Sequence, residues 1–296
     1  MSATIAELAV AAQGLERSPG YWSTVLRRLL RDPVAVGALL VLLGLLFLAF
    51  FGHAIAPYDP FQASILRRLK PIGFDGHLLG TDELGRDMLS RLMTGARLSL
   101  FIGITPVVLA FVIGSTIGIT AGYAGGMTNT LIMRVVDVFY AFPSVLLAIA
   151  LSGALGAGLV NSLVSLTIVF IPPIVRVAES VTTQVRSLDF VDAARASGAG
   201  ALTIVRVHVL GNVVGPIFVY ATSLIAVSMI LASGLSFLGL GVRPPQPEWG
   251  LMLNTLRTAI YVQPWVAALP GLMIFITSIS FNMLSDGLRS AMDVKQ

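Results

Sequence analysis

Charged residues divide this chain into long silent windows. No Asp, Glu, Lys or Arg occurs in 33–58, 98–133, 138–175, 207–242 or 258–285. A helix crossing the roughly 30 Å hydrocarbon layer of a bilayer needs about 20 apolar residues. Every window is long enough for one crossing, and 138–175 has room for two. That window is interrupted by Gly153-Ala-Leu-Gly-Ala-Gly158 and then Asn161 and Ser162, a poor helix interior and a good short turn. The pattern predicts six transmembrane helices, at about 34–56, 98–122, 134–154, 160–178, 214–236 and 265–284. Backbone groups in lipid must be satisfied within their own segment, and the polar alternation of a barrel strand is missing, so the expected fold is all-α and polytopic.

Composition supports this reading. Asp, Glu, Lys and Arg together make 11% of the 296 residues and apolar residues 56%, against about 25% charged in a soluble chain. Mean hydropathy is +0.88. With so little charge a soluble fold of this size could not cover its surface. The net charge of +4 rests on 17 Arg and only two Lys. In this setting it reads as topology information and not as a nucleic-acid patch. Arg27, Arg28 and Arg31 precede the first window and should hold the N-terminus in the cytoplasm. Residues 1–12 carry Glu7 and no basic n-region, which argues against a cleaved signal. The expected organisation is a cytoplasmic tail (1–32), a first helix (33–57), an outer loop (58–97), a core (98–290) containing an inner loop at about 176–211, and a cytoplasmic tail (291–296).

Catalytic chemistry is hard to find. Cysteine is absent, and His53, His77 and His208 have no ligand spacing, so neither a metal nor another cofactor is expected. A Walker A loop needs Gly-Lys-Ser/Thr, and the only lysines are Lys70, before Pro71, and Lys295. Energy for active transport would come from another chain. Ionisable groups inside a membrane usually mark a path for protons or ions, but here they are scarce. Asp137 follows Arg134 by three residues and reads as a self-neutralised anchor. An ion-coupled secondary carrier is the alternative of another class, and it would be expected to hold more buried acids. Gly114, Gly118 and Gly122 form a tandem GxxxG that favours close helix packing, within this chain before a subunit contact.

Two polar stretches look too specific to be spacers. In Asp189-Phe-Val-Asp-Ala-Ala-Arg-Ala-Ser-Gly198, Asp189 can cap a short helix whose dipole favours Asp192. Phe190, Ala193, Ala194 and Ser197 fall near one face, and Gly198 ends the helix. Such a helix suits a partner's groove, or it is an ordinary amphipathic loop helix; the spacing alone does not choose. The other stretch, Pro57–Arg97, contains Thr81-Asp82-Glu83-Leu84-Gly85-Arg86-Asp87. It predicts a capped turn held by a carboxylate–Arg cluster, structural before it is a ligand site. Trp249, Tyr261 and Trp265 read as an interfacial belt.

Taken together, these segments resemble a known family. Asp192-Ala193-Ala194-x3-Gly198-x9-His208-x-Leu210-Gly211 is similar to the EAA loop of ABC-type import permeases. Leu79 to Asp87, Gly95 to Ser99, Ala141-Phe-Pro143, Leu235 to Gly241, Trp249-Gly250, Pro264-Trp265, Pro270-Gly271 and Asn282 to Arg289 resemble, in order and spacing, the second ("C-type") permease of the dipeptide/oligopeptide/nickel import family, over about 22–294. The resemblance implies a type I importer fold in a bacterial inner membrane. It also implies a second homologous permease, two ABC ATPases gripping the 189–198 elbow, and an extracytoplasmic substrate-binding protein, with no nucleic-acid partner. Peptides are the implied solutes, with nickel complexes or glutathione as alternatives. Asp192 stands where the family usually has Glu, which shortens the reach of the charge. Gly211 stands where it has Pro, which should cost a rigid turn before the fifth helix.

Overall fold

The computed structural model describes residues 21–292. Among these no β-strand forms, and the only bridge pairings are two isolated ones, Phe74 with His77 and Thr81 with Asp87. The expectations that fall wholly on 1–20 and 293–296 lie outside the described residues.

A short helix α1 (Tyr21–Leu29) leads into α2 (Pro33–Ile55). Pro33 sits at the first helical position, where no N–H is needed, and Asp32 Oδ1 accepts from Val34 N and Ala35 N. The second long helix, α3 (Met88–Ala124), starts ten residues before the predicted span because Asp87 caps it inside the polar segment. After Gly125 the chain forms α4 (Gly126–Tyr140) and α5 (Ser144–Leu155), bent by 86° across Ala141-Phe142-Pro143. The continuous third helix expected over 134–154 is therefore a broken span. Pro143 has no N–H and disfavours a helical residue before it, so the break falls where the Ala-Phe-Pro motif stands.

The turn at 156–158 closes as expected, with the Asn161 amide donating to Leu155 O and Gly156 O. Next come α6 (Leu159–Arg186), the short α7 (Asp189–Ala196), α8 (Ala201–Ile204) and α9 (Leu210–Phe237). One wide π-type turn, Val205–Val209, joins α8 to α9. No turn forms at Gly211: the chain is helical through it. A small helix α10 (Trp249–Thr255) and the final α11 (Pro264–Met292) complete the fold. Among the described residues, five helices are long and apolar enough to cross a membrane by themselves, and the bent α4–α5 pair makes a sixth span.

Small residues set how the bundle packs. A Cβ on Gly118 would meet Ala178 Cβ and Val175 O, both at 2.6 Å. On Gly122 it would meet Glu179 O at 2.7 Å, and on Gly114 Ile174 Cγ2 at 3.0 Å. All three glycines face α6, so the tandem GxxxG is used within the chain. With lipid on the outside, dispersion between closely apposed backbones replaces the hydrophobic drive. At the same end as α1, a Cβ on Gly287 would lie 2.5 Å from Ala35 Cβ, which fixes α11 against α2.

Candidate functional site

The polar chemistry gathers at the two ends of the bundle. At one end, the segment before α3 folds into a buried charge cluster. Asp82 Oδ1 accepts from Leu84 N and Arg86 N, each at 2.9 Å, while Oδ2 takes Arg86 Nε at 2.6 Å and pairs with Arg91 Nε at 3.2 Å. Arg86 Nη2 also donates to Glu83 Oε1 at 2.9 Å. Gly85 makes the tight turn possible, with φ of +74° and Ser64 O packed so close that a side chain has no room. Thr81 Oγ1 receives Lys70 N at 2.9 Å and donates to Arg67 O.

Asp87 holds two structures at once. Its Oδ2 accepts Ser90 N at 2.7 Å, capping α3, and its Oδ1 lies 2.8 Å from His77 Nδ1. Arg67 Nη1 sits 3.2 Å from His77 Nε2. A guanidinium can only donate, so Nε2 accepts and the Nδ1–H points at Asp87. His77, which shows no partner in sequence, thus ties the loop to the helix cap. Thr81, Asp82, Arg86 and Asp87 are all buried. Burial, followed by the neighbouring Asp82 charge, raises the Glu83 carboxyl above its ordinary range. A largely self-paired network of this kind fixes backbone geometry, although Glu83 Oε2 and Arg91 Nε are buried in it without a hydrogen-bond partner.

Beside it lies an assembly that the sequence did not disclose. Trp249 is fully buried, so it leaves the proposed interfacial belt, whereas Tyr261 and Trp265 remain exposed. Its indole N–H donates to Leu92 O and its backbone N–H to Ser99 Oγ, both at 3.0 Å. A Cβ on Gly95 would meet Pro247 O at 2.9 Å, so the loop lies directly on α3. Glu248 caps α10 through Gly250 N and Leu251 N at 2.8 Å. Burial raises its carboxyl above the ordinary range despite these hydrogen bonds. The only trace in the sequence is an acid immediately before Trp-Gly.

The opposite end carries α7. Its N-cap is Leu188, with no side-chain cap; Asp189 is the first helical residue and does not cap as predicted. Both acids still sit in the first turn, where the helix dipole favours them. Val191 is fully buried and anchors the helix, Phe190 is 41% exposed, and Ala193 and Ser197 are exposed, with Ala194 half-buried. Asp192 pairs with Arg195 at 2.6 Å on the outward surface. Gly198 ends the helix with φ of +81°. The Phe190 and His208 rings lie 6.3 Å apart, so the fold of the loop brings together two members of the motif from separate helical turns. Asp137 corrects one further expectation. Its partner is Arg176, at 2.5 Å, because α4 crosses α6 and carries the carboxylate to it.

A bundle of helical spans, one of them broken, with a short helix presented on a loop at one end, is the architecture of a transport permease. The chain belongs to the family described as "Binding-protein-dependent transport system inner membrane component", which residues 114–295 match. Residues 20–71 match the N-terminal transmembrane domain of oligopeptide transport permease C. It is a membrane-spanning subunit of a bacterial ABC importer, a class that works with an ATPase and other subunits. Among similar proteins, the glutathione transport system permease protein GsiD of Pectobacterium atrosepticum is 42% identical over 99% of this chain and 97% of its own. The di/tripeptide transport system permease protein DppC of Pseudomonas aeruginosa is 43% identical over 88% of each. In fold the chain is similar to a chain of the MetNI methionine ABC transporter captured in an inward-facing conformation. The TM-score is 0.57 at 19% identity, over 69% of this chain and 97% of that one.

Proposed function

We propose that this permease passes short peptides, glutathione included, across the inner membrane. It would do so as one of two homologous permeases served by two ATPases and an extracytoplasmic binding protein. Both termini then lie in the cytoplasm, α7 faces the ATPases, and the 57–87 and 240–262 segments face the binding protein. The relatives support the solute class, since glutathione is itself a tripeptide.

The observation that carries the coupling role is the build of α7. Buried Val191, Ile204 and Val209 fasten the loop to the main core, while Phe190 and Ala193 stand outward. A partner that grips Phe190 moves a rigidly mounted elbow, and through it α6 and α9. ATP-driven closure of the ATPases would thereby switch access from one side to the other. The test is Ala193→Arg or Gly198→Trp in the co-expressed complex. Ala193 is exposed, so Ala193→Arg should leave the bundle inserted while ATPase co-purification and uptake are lost. Gly198→Trp meets no clash at Cβ but also strains the end of α7, because Gly198 holds φ of +81°, and is the secondary variant. Unchanged uptake would remove the coupling role.

A further inference from the structure

The ion pair between Asp137 and Arg176 sits on an unusual surface. Arg176 follows Leu159, the first residue of α6, by 17 positions, about 25 Å along a helix axis. It closes the charge-free window 138–175, of which Asp137 marks the other edge. Both side chains are nonetheless open to the outside of the chain, 45% and 46% exposed. The Arg176 guanidinium also lies 4.6 Å from the Tyr140 ring centroid. Lipid tails do not solvate a half-open ion pair, so this face must look onto water or polar groups.

The surroundings have the shape of a passage. Next to the pair, a cleft of about 290 Å³ runs between Tyr140, Phe142, Ser144, Pro172, Pro173 and Tyr220. Its walls are the α4–α5 break, the Pro172-Pro173 stretch of the otherwise continuous α6, and Tyr220, Leu224 and Val227 of α9. Irregular backbone at membrane depth is tolerated where it lines a cavity. The cleft itself is largely apolar, with Tyr140, Ser144 and Tyr220 as its hydroxyls. The ion pair stands at its rim through the Arg176–Tyr140 contact, so rings, hydroxyls and one charge of each sign lie together in a surface suited to a solute that carries an ammonium and a carboxylate.

We propose that Asp137, Tyr140, Ser144 and Arg176 line the solute pathway of this subunit. Arg176 meets the carboxylate of a zwitterionic peptide, and Asp137 with the Tyr140 ring meets its ammonium. This rests on the permease reading above and names the surface it uses.

The chain has no cysteine, so single thiols report cleanly. Tyr140→Cys and Ser144→Cys, in the intact transporter in inside-out vesicles, should react with a membrane-impermeant cationic thiosulfonate. Val112→Cys, exposed on the long α3, should not. A second measurement uses Asp137→Asn, nearly isosteric, combined with Arg176→Gln, shorter but still polar, which together remove both charges. Dipeptide uptake should fall at least about tenfold, because both charge-assisted contacts to the solute are lost, while binding-protein-stimulated ATP hydrolysis persists. If Tyr140→Cys and Ser144→Cys both stay unreactive with and without nucleotide, in a complex whose wild type transports, the pathway assignment is wrong. Unchanged uptake by the double variant overturns the charge role. Absence of uptake by the wild type itself would instead count against the permease reading.

Discussion

Adding one methyl group at Gly118 tests the packing that holds this bundle together. The new Cβ would stand 2.6 Å from both Ala178 Cβ and Val175 O, where carbon contacts normally settle at about 3.5–4.0 Å. One of the two obstacles is backbone, so relief requires α3 and α6 to separate by about 1 Å. Overpacking of this kind costs about 1–3 kcal/mol. Alanine in a helix returns about 0.5–1 kcal/mol relative to glycine, which leaves a net loss of about 0–2.5 kcal/mol for Gly118→Ala. Gly44→Ala on α2 is the matched control: its Cβ would meet nothing within 4 Å, so only the helix gain applies. Gly114→Ala should be milder than Gly118→Ala, because its nearest obstacle is a side-chain methyl at 3.0 Å. The assay is the thermal midpoint of the purified complex in detergent, followed by tryptophan fluorescence and by loss of the monodisperse peak. The expected order of stability is Gly44→Ala, then Gly114→Ala, then Gly118→Ala. If Gly118→Ala matched Gly44→Ala, the close α3–α6 contact would be refuted.

Asp87→Ala removes the α3 cap and strands the buried His77 N–H. Those losses are about 1 kcal/mol and about 1–3 kcal/mol, so the complex should show a clear drop in thermal midpoint and increased proteolysis within 57–87. Trp249→Phe loses the indole bond to Leu92 O, about 0.5–1.5 kcal/mol because that carbonyl keeps its bond within α3, and leaves the space of the missing five-membered ring empty; its midpoint should fall while Trp265→Phe, on an exposed ring, leaves it unchanged. Glu248 gives a pH signature. Because its folded carboxyl is raised, its contribution is complete below the ordinary carboxylate value of 4.5. That contribution disappears as pH rises through the raised folded value. Midpoints measured across this interval should shift in favour of Glu248→Gln as pH rises, and a constant difference would contradict the burial argument.

The spans are legible in the sequence because the bilayer imposes one requirement on every residue of a crossing, and charge-free length reports it directly. The glycine ladder is legible for a related reason, since only small residues permit the approach. The α4–α5 break is not, although Pro143 is visible, because apolar content continues across it and periodicity does not register an 86° change of direction. Pairings are the least accessible. Arg134 precedes Asp137 by three residues and offers a partner by helical spacing, yet Arg176 takes it through a tertiary crossing. Trp249 escapes a sequence reading because a tryptophan at the end of a span serves equally as an interfacial anchor or as the plug of a loop. What decides is the hydrogen-bond partner, Leu92 O, which lies far away in sequence.

The distribution of tight and open packing bears on how such a subunit can transmit motion. At the end with the charge cluster, Gly85, Gly95 and Gly250 each lie against backbone with no room for a side chain. Around α7 the reverse holds: a methyl group added at Gly198, Gly200 or Gly211 would have nothing within 4 Å. The glycines around α7 face open space, while buried Val191, Ile204 and Val209 fasten the helix to the core. The helical path through Gly211 bears on the departure from the family pattern. With α8, the π-type turn and α9 continuous, the proposed coupling would run along helical backbone and need no proline-stiffened corner. In that proposed path the wide turn at 205–209 is where the helical hydrogen-bond register changes, the place where a helix bends most readily.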